Sequence, residues 1–228
     1  MINRNSLALV ALSASLIPMA CGDRPAPEQT ATTEVAEPAH QVAQTAGLLN
    51  PNLASVEELA SVPGMSSEAA QAIVDGRPYL TAAALNTALN ALVGAEQAAE
   101  VYRTVWVPIN LNDVTNEEVL LIPGVGDRMA HEFEEYKPYA AMDVFRREMG
   151  KYVDNDEVER LAMYAYVPID LNTATQEEIL AVPGVGERMA HEFEEYRPYT
   201  TIEQFRREIG KYVDESEVAR LERYVTIN

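Results

Sequence analysis

Two short turns, Pro123-Gly124-Val125-Gly126 and Pro183-Gly184-Val185-Gly186, hold the residues best placed for chemistry in this chain. A G-x-G turn that opens a helix presents backbone amides at the positive end of the helix dipole, which suits an anion such as phosphate. The candidate amides are those of Gly124, Val125, Gly126, Gly184, Val185 and Gly186, with Arg128 and Arg188 placed to add a cation. A plain link between two packed helices would need the same glycines, because glycine tolerates φ > 0. Arg128 and Arg188 would equally suit i, i+4 pairs with Glu132 and Glu192. Two basic triplets, Arg146, Arg147, Lys151 and Arg206, Arg207, Lys211, are candidates for an acidic partner. They also read as charge-balanced helix faces through Asp143–Arg147 and Glu203–Arg207. His191 forms an i±4 stripe with Glu187 and Glu195, which a solvated face explains better than a weak, open metal site. No metal ligand set is expected.

The rest of the composition argues against catalysis. The 228 residues contain one cysteine and three histidines, and no Walker-type loop, G-x-S-x-G or H-E-x-x-H motif. Neither a catalytic residue nor a cofactor is expected. Lys and Arg number 17 against 36 Asp and Glu, a formal charge of −19. Such a balance excludes a broad cationic rail along nucleic acid or anionic lipid. With 47% hydrophobic residues the chain can bury a core.

Internal repetition organises that core. Pro-Gly recurs at 63, 123 and 183, Pro-Tyr at 78, 138 and 198, and Asn52, Asn112 and Asn172 keep the same register of 60. Residues 109–168 and 169–228 share about 36 identities without a gap, while 49–108 keeps the framework and drifts towards alanine. Their net charges are −7, −6 and −4 respectively. Each unit begins with a capping box at Ser55, Thr115 or Thr175 and its Glu three residues on. Periodicity predicts a short first helix, a second over about 188–196, a third capped by Thr200-x-x-Glu203 and a fourth capped by Asp214-x-x-Glu217. Tyr136, Tyr139, Tyr196 and Tyr199 are expected to pack the Pro-Tyr corners, and Trp106 the first joint. The pattern is all-α, with no strand signal.

Ahead of the repeats, residues 1–20 read as a signal peptide: Arg4 precedes an apolar stretch from Leu7 to Ile17, too short to span a bilayer. The sole cysteine, Cys21, follows Ala20 directly, resembling the lipidation site of bacterial lipoproteins; a plain secretory signal is the alternative. Residues 21–48, rich in Ala, Glu, Thr, Gln and Pro, read as a disordered tether.

The string Leu171-Asn172-Thr173-Ala174-Thr175-Gln176-Glu177-Glu178-Ile179-Leu180 to Pro183-Gly184-Val185-Gly186, repeated almost unchanged from Leu111 to Gly126, resembles the paired helix–hairpin–helix domain of the ComEA-type competence DNA receptors. The resemblance covers residues 49–228 as three tandem units. It implies an all-α helix-hairpin-helix fold and non-catalytic binding of double-stranded DNA at the cell envelope, with hairpin amides on phosphate oxygens and Arg128 and Arg188 assisting. Three features depart from the family. Asp127 or Glu187 follows the second glycine, the first unit reads Gly64-Met65-Ser66-Ser67, and the second hairpins, from Gly150 and Gly210, carry one glycine each. The motif favours DNA, whereas the charge favours a second class, a protein-interaction scaffold or accessory subunit of an envelope complex that does not bind DNA. The small extrinsic lumenal subunit of photosystem II looks built on the same fold. A high-salt habitat would also account for the acidity. Either way the protein is expected to be exported to the periplasm or cell surface and lipid-anchored at Cys21.

Overall fold

A computed structural model describes residues 47–228. The signal peptide, Cys21 and nearly all of the tether lie outside the described residues. Leu48, which composition places in the tether, is buried at the start of the fold.

The first unit comprises α1 (Val56–Ala60), α2 (Ser67–Asp75), α3 (Ala82–Val93) and α4 (Ala95–Val101). The second comprises α5 (Asn116–Val119), α6 (Asp127–Glu135), α7 (Met142–Met149) and α8 (Asn155–Ala162). The third comprises α9 (Gln176–Leu180), α10 (Glu187–Glu195), α11 (Ile202–Ile209) and α12 (Glu215–Glu222). Complete capping boxes start α1, α5 and α9, and Asp154 and Asp214 cap α8 and α12. Two local expectations shift by one residue. The second helix of the third unit starts at Glu187, and Thr201 rather than Thr200 caps α11 by accepting from Gln204 N. Thr200 instead bonds the Gln204 side chain.

The absence of strands predicted from the pattern needs a correction. Two-residue strands β1 (Ile109–Asn110) and β2 (Ala165–Tyr166) pair in parallel, as do β3 (Ile169–Asp170) and β4 (Val225–Thr226), and Leu49 bridges Val105. Each unit's entry is thereby fastened to its own exit. Runs of two residues are too short to show a period-2 pattern.

Within each unit a second fastening holds the Pro-Tyr corner. Asn172 donates through Nδ2 to Tyr199 O (2.9 Å) and accepts from Tyr199 N (2.7 Å); Asn52 and Asn112 do the same for Tyr79 and Tyr139. One amide side chain thus mimics a backbone pair. The basic residue ahead of each cis proline reaches the same turn. Arg197 donates to Leu171 O and Ala174 O at 2.6 Å each, Lys137 to Val114 O at 2.7 Å, and Arg77 to Pro51 O and Ala54 O.

One apolar core runs through the first two units and a second fills the third. Phe133 meets Phe145 edge-on at 5.0 Å, as Phe193 meets Phe205 at 5.2 Å, and Tyr139 and Tyr199 are buried beside them. The first unit places the smaller Ile73 and Leu85 at these positions. Trp106 lies at the first joint as expected, its ring on Tyr102 and Tyr164 and its Nε1 donating to Tyr164 O (2.9 Å). Tyr166 occupies the corresponding place at the second joint, donating to Arg223 O (2.9 Å) and stacking on Tyr224. Among the described residues no helix is long and apolar enough to cross a membrane.

Candidate functional site

The two G-x-G turns take the same backbone path. Gly124 and Gly184 both adopt φ +85°, a left-handed conformation that disfavours a side chain, and the next amide closes the turn. The Val125 and Val185 N–H groups, expected among the anion-facing amides, donate instead to Ile122 O and Val182 O at 3.0 Å. Gly126 and Gly186 then stand at the N-caps of α6 and α10 in extended conformation, with no side-chain cap. The leading amides of both helices therefore lack a capping partner. In the first unit, by contrast, Ser66 Oγ accepts from Ala69 N (3.1 Å) and fills that place itself. Asp127 and Glu187 form the first helical turn, where a carboxylate interacts favourably with the dipole and competes with any external anion.

Arg128 and Arg188 are exposed one residue further on. The alternative pairs with Glu132 and Glu192 do not form, because those glutamates are 8% and 9% exposed and leave one carboxylate oxygen of each buried without a partner. Among the described residues, Arg128 and Arg188 are the only Lys or Arg side chains with no ion pair, hydrogen bond or ring contact. Both stand on helices whose first amides are also uncapped.

The basic triplets are engaged within their own units. Arg146 pairs with Glu159 (3.1 Å) and Asp143 (3.5 Å), and Arg206 with Glu222 (2.6 Å) and Glu203 (3.7 Å). Arg147 and Lys151 converge on Glu148, as Arg207 and Lys211 do on Glu208. The expected Asp143–Arg147 and Glu203–Arg207 pairs are thus replaced, since Arg147 and Arg207 turn to their chain neighbours. Hydrogen bonds from Lys151 and then Arg147 hold the Glu148 carboxyl below its usual range, and Lys211 and Arg207 do the same for Glu208. Lys151 and Lys211 also lie 4.8 Å over the Tyr136 and Tyr196 rings, whose hydroxyls bond those of Tyr152 (2.7 Å) and Tyr212 (2.8 Å). Gly150 and Gly210 have helical φ of −61° and −62°, so the second hairpins do not reproduce the left-handed turn of the first.

Two arginines escaped the sequence reading. Arg220, 2% exposed, donates to Glu217 and, through Nη1, to Pro183 O (2.6 Å), tying α12 to the hairpin. Arg160 is held by Glu157 beside Gly124, and Gln97 makes the equivalent tie to Pro63 O (3.2 Å). The signal available was identity in both copies, an arginine three residues after a glutamate. His131 and His191 face outward, 3.8 and 3.5 Å from Glu135 and Glu195.

No match was found among curated proteins or among solved structures. Residues 165–225 match the family model of the helix-hairpin-helix motif, a span that takes in the hairpin at 183–186, both of its helices and the second pair α11 and α12. The third unit thus carries a helix-hairpin-helix motif, and the chain has an all-α helix-hairpin-helix fold.

Proposed function

We propose that this protein is a non-catalytic binder of double-stranded DNA, similar to the ComEA-type receptors and built as a tandem of three helix-hairpin-helix units. Export to the bacterial cell envelope and a lipid anchor at Cys21 belong to the same reading. The observation that carries it is the coincidence of an unpaired cation and an uncapped helix start at one place. Among the described residues, the two cations without an internal partner stand at two of the four helix N-termini that lack a side-chain cap, each just after a left-handed glycine turn; the other two, those of α4 and α7, carry no cation in their first turn. Phosphate oxygens are the natural complement of that arrangement. With unit charges of −7 and −6 around them, contacts must be local and short-range.

A scaffold role in an envelope complex is the second reading. Its support is that the other described cations already have partners, which leaves a surface rich in unmatched carboxylates.

A titration of the full chain with a short labelled duplex separates the two. Binding at about 50 mM salt that weakens steeply towards 200 mM supports the DNA reading. No binding at the lower salt rejects it and leaves the scaffold.

A further inference from the structure

The two intact hairpins have the same residues, the same glycine φ and the same turn bond, yet they are not equally open. Gly124 and Gly126 are exposed and Val125 is half-buried, whereas Gly184 and Gly186 are half-buried and Val185 is 5% exposed. Two neighbours make the difference, Arg220 of the same unit and Leu53 of the first. A Cβ placed on Gly184 would meet Arg220 Nη2 of its own unit first and then Leu53 Cδ2 of the first unit at 3.1 Å, while one on Gly124 would meet only Arg160 Nη2, at 3.6 Å, and nothing from another unit. Leu80, also of the first unit, lines a groove with Arg206, Gly210 and Val218 of the third. Arg220 is buried, whereas its counterpart Arg160 is half-buried.

The residues making the contact are special to the first unit. Where it has Leu53, the other two have Asp113 and Thr173; where it has Leu80, they have Ala140 and Thr200. Large apolar side chains therefore stand where the other units have polar or small ones, at two positions that face the third unit. The same unit has a self-capped hairpin helix and no cation at the position of Arg128.

We infer that the first unit is an intramolecular cover for the third: Leu53 and Leu80 dock on it, close the hairpin at 184–186, and leave that at 124–126 as the open phosphate contact. The statement about phosphate rests on the DNA reading above; the cover itself does not. Drift of the first unit away from the family pattern is then a change of role, from binding an anion to binding its neighbour.

Two measurements on the full chain test this. Amide hydrogen exchange at Gly184 and Gly186 is expected to be about tenfold slower than at Gly124 and Gly126. In the Leu53→Thr/Leu80→Thr variant, which installs the third unit's own residues, the two hairpins should converge. For duplex DNA, Arg128→Ala should weaken affinity severalfold more than Arg188→Ala in the intact chain, and the two losses should become equal in the opened variant. Equal exchange at both hairpins in the unaltered chain overturns the cover, and needs no variant to fold. Equal losses for Arg188→Ala and Arg128→Ala in the unaltered chain overturn the single open contact. Absence of any DNA binding rejects the DNA reading, while the exchange comparison still decides the cover.

Discussion

Replacing Gly126 by Asp should raise stability and weaken DNA binding together. Gly126 sits at the N-cap of α6 with φ −114° and ψ 176°, extended backbone open to any residue. A Cβ there would meet nothing within 4 Å. The new carboxylate can accept from an α6 amide as Asp154 Oδ1 accepts from Glu157 N (3.0 Å) at the start of α8. A capping side chain improves on glycine by a few tenths of a kcal/mol, and loss of glycine's freedom in the unfolded chain adds about 0.4–1 kcal/mol. The sum, about 0.5–1.5 kcal/mol, raises Tm by roughly 1–6 °C in a fold of this size. The same cap occupies an amide that the account assigns to phosphate and sets a like charge in its place. Loss of one charged hydrogen bond, about 1.5–3 kcal/mol, weakens binding about 10- to 150-fold. Thermal melts by circular dichroism and anisotropy titrations on the same sample read both effects. A stabilised protein with unchanged affinity would show that these amides do not hold phosphate, since they would then be capped without consequence.

Two further outcomes follow from the same contacts. Asn172→Ala removes both bonds to the Tyr199 backbone and leaves a half-buried N–H and C=O unpaired, so denaturant unfolding should show a loss of about 2–4 kcal/mol; a loss under about 0.5 kcal/mol, the size of an ordinary surface substitution, would mean that the clamp does not hold the corner. Glu148 and Glu208 have folded-state pKa values below the ordinary value of 4.5, so their stabilisation is present above that pH and disappears as the pH falls through the folded values. Denaturation midpoints should therefore drop below about pH 4.5, and less steeply in Glu148→Gln/Glu208→Gln; identical pH profiles would remove these pairs from the account.

What the sequence showed was set by short-range interactions. The capping boxes at Ser55, Thr115 and Thr175 are legible because donor and acceptor are three residues apart, and the proline–glycine spacing displays the repeat directly. Thr200 and Thr201 are adjacent and chemically alike, so the cap was placed one residue early. Nothing in the local pattern marks Glu148 and Glu208 as buried; Lys151, Arg147 and their equivalents accompany them to the edge of the core. The tie from Arg220 to Pro183 spans 37 residues and leaves no local mark. Leu53 could be seen as an apolar residue where the other copies have Asp and Thr, but its partner at Gly184 appears only once the first and third units are folded together. The two hairpins, identical as strings, therefore differ in exposure.

The central claim is that Arg128, beside the uncapped start of α6, meets a DNA phosphate. Its most direct test is the salt dependence of duplex binding by the full chain and by Arg128→Ala. Arg128→Ala is expected to bind more weakly, with a slope of log Kobs against log salt that is shallower by about one, the signature of one lost phosphate contact. An unchanged affinity with an unchanged slope would contradict it.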